Sequence, residues 1–308
     1  MLKWLVIGIG DITIKRVLPA ILSEPRSRLV GVVTRDPAKA GAYGVPGWTD
    51  LYRALAECGC DAVYVGTPPV LHAEQTIASL RAGKSVLCEK PTAMNYVEAC
   101  AMQQVAAETR GLLGVAYYRR MYPKINRAKE LIAAGAIGRV VFAEATAHSW
   151  FPEDEAKGAW RADPELAGGG PLYDIASHRI DLMNYLFGRP LRATGQTSNA
   201  VHRYATEDNA TVMIGYAGGA RGLVDVRWHS KVIRDEFRIR GTDGELDLSP
   251  LNEPTFVSPA GQESIPAPGN LHYPCVEEFV TSALEGTPFR SAIGSAVWVD
   301  WVTREVME

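Results

Sequence analysis

Cysteine is scarce. The 308 residues hold five, Cys58, Cys60, Cys88, Cys100 and Cys275, an odd number with no Cys-x-x-Cys pair. That excludes a disulfide scaffold and points to buried thiols in a reducing compartment. Long apolar runs are missing too: nothing approaches the roughly 20 residues a membrane span needs. The stretch Trp4 to Ile9 behind Lys3 is broken at Asp11, too short for a secretory core. A soluble cytoplasmic protein is expected. Excess charge of one sign is also absent. Lys plus Arg is 32 against 35 Asp plus Glu, net −3, with no basic block for nucleic acid. No H-E-x-x-H or Cys/His cluster suggests a metal. What remains is ordinary globular composition, 47% apolar and 22% charged. At roughly 150 residues per domain it predicts two domains, each able to bury its own core.

The first 120 residues alternate apolar strands with helical segments. Leu2 to Gly8, Arg28 to Thr34, Asp61 to Gly66 and Ser85 to Cys88 read as strands. Lys15 to Leu22, Asp50 to Cys58, His72 to Ala82 and a stretch ending near Thr109 read as helices. Continuous apolar strands alternating with helices predict a parallel sheet. Beyond residue 120 helices are expected at Lys124 to Ala134, Leu172 to Phe187, Tyr273 to Leu284 and from Ala292 onward. Strands are expected at Val140 to Ala147, Ala210 to Tyr216, Arg221 to Trp228, Glu236 to Arg240 and Glu245 to Leu248. Turns at Gly218-Gly219 and Asp243-Gly244 join several of them directly, which predicts a mostly antiparallel open sheet. The fold class is therefore α/β over 1–120 followed by α+β over 121–308, with the last helix packing back on the first domain. The proline-rich stretch Asn252 to Pro268 reads as a surface loop.

Four stretches carry chemistry. Gly8-Ile9-Gly10-Asp11-Ile12-Thr13 follows a strand and opens a helix, the context of a dinucleotide site. Gly8 permits the tight turn. Gly10 lets the backbone approach a pyrophosphate at a helix N-terminus. At the end of the second strand, about 20 residues on, NAD sites place an acid. Here Thr34 and Arg35 stand there, which suits a 2′-phosphate and favours NADP over NAD. Asp36 reads as a helix cap before Pro37, and the alternative for Arg35 is a solvated loop arginine. Lys90 follows the Ser85 to Cys88 strand, at the end of the sheet where open α/β folds place ligands. By spacing alone it could equally be solvated.

The fourth stretch runs from Gly168-Gly169-Gly170 into a helix with Pro171 at its first position. Asp174 and His178 stand four apart and share a face, continued by Asp181 and Tyr185. A histidine beside a carboxylate has the parts of a general base and its orienting partner. An ordinary solvated pair is the competing reading. Trp150, Trp160 and Arg161 could line a sugar-sized pocket, or the tryptophans could be core. The remaining histidines form no spaced pattern.

Taken in order, these stretches resemble the glucose-fructose oxidoreductase / inositol dehydrogenase / MocA family. The carriers are Gly8-Ile9-Gly10, Gly66-Thr67-Pro68-Pro69-Val70-Leu71-His72, Ala82 through Glu89-Lys90-Pro91, Leu131 to Gly138, Trp160-Arg161 with the triple glycine, and Asp174 with His178. Thr13 and Pro69 depart from the usual residues. The resemblance implies a Rossmann domain followed by an α/β domain whose open sheet face forms homo-oligomers, dimers or tetramers. It implies that Lys90, Asp174 and His178 are catalytic and converge at the nicotinamide. Thr67, Pro68, His72 and Glu89 would join Gly8, Ile9, Gly10, Asp11, Ile12, Thr34, Arg35 and Lys90 around the cofactor. Arg120 joins Trp150, Trp160, Arg161 and His178 as candidate substrate contacts. The implied activity is NAD(P)-dependent hydride transfer on a sugar, cyclitol or related polyol, with no metal. Whether Lys90 or His178 carries the proton stays open. A redox-neutral glycosidase-like enzyme with tightly held NAD, or a dinucleotide sensor without chemistry, are the other readings.

Overall fold

Strands that carry neighbours on both edges and helices on their faces must be apolar on both sides. Leu2–Ile7 meets that demand, with only Lys3 exposed. The computed structural model describes residues 1–152 and 158–308.

From β1 (Leu2–Ile7) the chain passes a glycine turn into a helical stretch. Its first full turn, Thr13–Val17, is π-helical, and it continues as α1 (Leu18–Ser23). Then come β2 (Ser27–Val33), a 3-10 segment Pro37–Tyr43, β3 (Gly47–Trp48), α2 (Leu51–Glu57), β4 (Ala62–Val65), α3 (His72–Arg81), β5 (Ser85–Cys88), α4 (Tyr96–Thr109) and β6 (Leu113–Val115). The second part has α5 (Pro123–Ala133), β7 (Val140–Trp150), α6 (Pro164–Ala167), a π-helical turn Leu172–Ala176 and α7 (Ser177–Phe187). Seven strands follow: β8 (Pro190–Ser198), β9 (Asn209–Tyr216), β10 (Arg221–Arg227), β11 (His229–Gly241), β12 (Glu245–Asp247), β13 (Thr255–Ser258) and β14 (Gly261–Ser264). The last elements are α8 (Tyr273–Glu285) and α9 (Ile293–Met307).

The chain divides into two units. The first comprises Met1–Tyr118 and Gly269–Val297, the second Arg119–Pro268 and Trp298–Glu308. This corrects the contiguous second domain expected over 121–308. The physical reason is in the first core: Phe279 of α8 packs on Trp4 of β1 with ring centroids 5.3 Å apart, and Ala292 bridges Gly114 of β6.

The first unit holds a six-stranded sheet in the order β3-β2-β1-β4-β5-β6, parallel throughout. That is the strand order of a dinucleotide-binding Rossmann sheet. The order reverses between β1 and β4, and ligands of such sheets lie beyond the carboxyl ends of the strands there. Asp50 caps α2 by accepting from the Arg53 N–H at 2.7 Å, and Asp36 caps the 3-10 segment through Ala38.

The second unit holds an eight-stranded sheet in the order β14-β13-β12-β11-β7-β10-β9-β8, antiparallel except for the β7–β10 pair. One face buries Ala143, Ala145, Val212, Ile214, Val224 and Val226. Each buried valine or isoleucine contributes about 1.5–3 kcal/mol. Stretch 252–268, expected as a loop, contains the β13–β14 hairpin. Its prolines flank the strands rather than interrupt them, and Phe256 alternates inward between exposed or half-buried neighbours. β8 and β6 were not expected either. β8 is an edge strand whose Arg, Thr and Gln residues hide its periodicity.

Candidate active site

The glycine turn is built by close approach. Gly8 has φ +84°, and a Cβ there would stand 2.8 Å from the Gly66 carbonyl oxygen. The Gly8 N–H donates to Val33 O at 2.9 Å, tying the turn to the end of β2. At Gly10 a Cβ would meet only Gly66 O, at 4.0 Å, so this backbone is open to approach. Ile9 is half-buried, and Asp11 and Ile12 are exposed at the start of the helix. Asp11 pairs with Lys15 at 2.9 Å. A strained glycine, an approachable glycine and a helix N-terminus together fit a pyrophosphate. Thr13, the departure from a third glycine, is fully buried. Room for it comes from the residue just after β4, because Gly66 has no side chain. At the end of β2, Thr34 is half-buried and Arg35 exposed, while the Asp36 carboxylate is engaged in its cap.

Beyond β4 and β5 two loops are locked together by His72. Its Nδ1 lies 2.9 Å from Pro91 O and its Nε2 2.8 Å from Thr67 O. The ring is fully buried, which lowers its pKa against the pull of the two carbonyls. His72, expected as a cofactor contact, ties the two loops together through both ring nitrogens. Thr67 donates its hydroxyl to Gln75 Oε1 at 2.8 Å, and Thr67 and Pro68 stay half-buried. Glu89 is buried as well. It accepts from the Tyr64 hydroxyl at 2.7 Å and from the Lys90 N–H at 3.1 Å. Burial pushes its pKa up, but His272 (Nε2 3.5 Å away), Tyr64 and Lys90 outweigh it and hold it below the usual carboxylate value. The half-buried Lys90 therefore stands on a braced segment.

In the second unit the helix expected over 172–187 is present, but its first turn is π-helical. The wider winding changes how Asp174 and His178 face each other relative to an α-helical i,i+4 pair. Such turns recur at functional sites. The two π-helical turns among the described residues, Thr13–Val17 and Leu172–Ala176, each follow a predicted glycine stretch. His178 is 8% exposed and Asp174 half-buried. Arg161 stands over the Trp160 ring at 4.9 Å, and its Nε lies 3.9 Å from Asp174 Oδ2. Trp160, Arg161 and Asp174 thus form one group.

Two further expected substrate contacts, both in the second unit, have side-chain partners of their own. Arg120 is 1% exposed and its guanidinium holds Asp181 through Nε–Oδ1 and Nε–Oδ2 contacts of 3.0 Å, a buried ion pair rather than a ligand arm. Trp150 lies tilted against His202, with centroids 4.7 Å apart, and Lys231 sits over its ring at 4.9 Å. Sequence reasoning missed Glu207. Its Oε1 accepts from the N–H groups of Gly170 at 2.9 Å and Leu172 at 3.0 Å, at the start of the Asp174–His178 helix. A single Glu 37 residues away carries no sequence signal for that contact. Among the described residues no group of three or more His, Cys, Asp or Glu is arranged for a metal, and no helix is long and apolar enough to cross a membrane. All five cysteines are free thiols.

Residues 2–117 match the family described as "Oxidoreductase family, NAD-binding Rossmann fold", and residues 125–247 match the "GFO/IDH/MocA C-terminal domain". The chain belongs to the Gfo/Idh/MocA family. It is an NAD(P)-dependent oxidoreductase of that family. Curated relatives include 1,5-anhydro-D-fructose reductase of Ensifer adhaerens, 29% identical over 97% of this chain and 93% of that one. D-xylose 1-dehydrogenase (NADP(+)) 2 of Haloferax volcanii is 28% identical over 80% of this chain and 75% of its own. The Gfo/Idh/MocA fold is seen in solved form in levoglucosan dehydrogenase complexed with NADH and levoglucosan. That structure has a TM-score of 0.89 at 24% identity, covering 99% of this chain and 96% of that one.

Proposed function

We propose that this enzyme transfers hydride between NADP and a hydroxyl-bearing carbon of a sugar, cyclitol or related polyol. The observation that carries the reading is the Gly8 turn, packed against Gly66 and bonded to Val33 two residues before Arg35, with the approachable Gly10 backbone at a helix start. The relatives named above act on sugars, and their names and complexes include both NADP(+) and NADH. Cofactor choice therefore rests on local residues. Thr34 and Arg35, with no acid free at the end of β2, favour the 2′-phosphate.

When bound, nicotinamide exchanges the hydride with the substrate carbon. The residues of this chain manage the proton and the oxygen. His178 takes the hydroxyl proton, and Asp174 orients the ring and stabilises the imidazolium. Lys90 hydrogen-bonds the reacting oxygen and polarises the carbonyl in the reverse direction. Proton transfer by Lys90 itself is a close variant. Trp160 and Arg161 offer a flat ring and a guanidinium to a sugar. The braced Glu89 segment and the His72 lock support a fixed position for Lys90. We further infer a cytoplasmic homo-oligomer joined through the open sheet face, a reading supported by free thiols and by the half-exposed side chains of that face.

The test is a fluorescence titration with NADPH and NADH, followed by turnover on a panel of 1,5-anhydro-D-fructose, D-xylose, levoglucosan and inositols. NADPH is expected to bind tighter, and Arg35→Ala to remove the difference. Tighter NADH binding overturns the NADP assignment. Lys90→Met is expected to abolish turnover and spare cofactor binding, and retained turnover overturns its role. A cofactor released only on denaturation, with no absorbance change during turnover, supports the redox-neutral reading instead.

A further inference from the structure

We propose that Glu207 is a positioning residue that sets the start of the helix bearing Asp174 and His178, a proposal that rests on the catalytic reading of that pair. Glu207 comes from the segment just before β9, not from the helix it serves. One carboxylate oxygen takes two N–H groups, Gly170 at 2.9 Å and Leu172 at 3.0 Å. These belong to the unsatisfied donors of a helix N-terminus, where a negative charge is also favoured by the helix dipole. The peptide of Gly170 passes the constraint on. Its N–H is held by Glu207, and its carbonyl accepts from the Asp174 N–H at 3.0 Å and the Tyr173 N–H at 3.1 Å.

The fit has no slack. A Cβ on Gly170 would stand 2.1 Å from the Glu207 carbonyl oxygen, and one on Gly169 would stand 2.3 Å from Tyr173 Cδ2. Gly170 is therefore needed to bring the helix start against the Glu207 backbone, while Gly169 leaves room for the Tyr173 ring. Glu207 is itself anchored by the next residue. Asp208 takes the N–H groups of Ala200, Val201 and His202 at 3.0, 2.7 and 2.9 Å. Its backbone is bonded to Ser198 O and to the Trp228 N–H. The chain of contacts runs from the sheet through Asp208 and Glu207 to Gly170 and Asp174. A π-helical turn, Leu172–Ala176, then lies between the clamp and His178. Burial pushes the Glu207 pKa up, while the two N–H groups pull it down. The same groups are served by an amide oxygen, which makes the isostere informative.

The experiment compares Glu207→Ala, Glu207→Gln and His178→Asn in the full chain. Steady-state kinetics use the panel substrate with the highest turnover. Glu207→Ala is expected to lower kcat by about 10- to 100-fold, the scale of a misplaced catalytic group, with KM and the NADPH dissociation constant within about twofold. Glu207→Gln is expected to recover kcat to within about threefold, since its oxygen still accepts both N–H groups. If Glu207→Ala does not fold, Glu207→Asp takes its place, because one methylene fewer withdraws the carboxylate. Independent of substrate, amide exchange of the ligand-free protein is expected to speed up at residues 175–178 in Glu207→Ala, to stay unchanged in β7 and β10, and to recover in Glu207→Gln. Unchanged kcat or unchanged exchange in Glu207→Ala overturns the proposal, and so does a Gln variant as impaired as the Ala one. If His178→Asn retains turnover, the catalytic reading fails on its own account, whatever Glu207 does.

Discussion

Thr13 and Gly66 share one space: a Cβ on Gly66 would lie 2.8 Å from Thr13 Oγ1. The helix after the glycine turn carries a hydroxyl where a third glycine is usual, and the missing volume is on β4's following residue instead. Gly66→Ala also drives a methyl to 2.6 Å from the Tyr64 ring. This variant is expected to lose about 1–3 kcal/mol of stability and to weaken NADPH binding at least about tenfold, converted at 1.4 kcal/mol per decade. Adding Thr13→Ala restores only part, because the Tyr64 collision remains. Thermal melts and fluorescence titration of the two variants check this. Parental binding in Gly66→Ala removes the turn as the cofactor cradle.

The Arg120–Asp181 pair should behave as structure, not as substrate recognition. Both side chains are 1% exposed. Asp181→Asn leaves a buried guanidinium without its counter-charge and is expected to destabilise by about 3–5 kcal/mol. An Arg120→Met, Asp181→Leu double variant should lie much closer to the parent. Urea denaturation of the three proteins gives the comparison.

Asp208 predicts a specific acid limb. Burial opposes its charge, but the N–H groups of Ala200, His202 and Val201 and the Asn209 amide hold its pKa down to about 2. A lowered carboxylate contributes stability above its unfolded pKa, near 3.9, and loses it as pH falls toward the folded value. A shift of this size corresponds to about 2 kcal/mol. Asp208→Asn is expected to be less stable by about that amount at pH 7 and indistinguishable from the parent near pH 2. A gap that persists at pH 2 points to packing instead of charge.

His72 predicts a second pH effect, at a higher value. Burial lowers its pKa, so the folded state favours the neutral ring. The unfolded chain takes up the proton near pH 6.5. Stability from this residue is therefore present above pH 6.5 and is lost as pH falls through the folded value. In His72→Gln the denaturation midpoint should change less between pH 7.5 and 5 than in the parent. Equal slopes rule this origin out.

What was legible in the sequence follows from what the backbone demands. Gly8 was readable because its positive φ and the close approach of the Gly66 carbonyl exclude other residues. The place of Lys90 just past the end of β5 was readable because a short apolar run before Glu89-Lys90-Pro91 marks a buried parallel strand. The π winding of Thr13–Val17 and Leu172–Ala176 was not, since over five residues it differs from an α-helix by less than one residue of phase. Glu207 and Arg120 could not be sorted by type. One of 35 acids and one of 32 cations carry no mark of burial, and their partners lie 35 and 37 residues away for Glu207 and 61 for Arg120. The β13–β14 hairpin was hidden by composition, because proline signals a loop whether it sits in a strand or beside one.

The split first unit bears on how the protein is made. Its sheet begins at residue 2, but Phe279 against Trp4, and Phe289 against Gly114, arrive only with the chain beyond residue 268. A ribosome must therefore synthesise the whole second sheet before the first core can close. During that interval Trp4 and the face beside β6 are left without their aromatic cover. A fragment ending at residue 120 is frozen in that state, so an isolated cofactor domain of this enzyme has to be built with residues 269–297 joined to it.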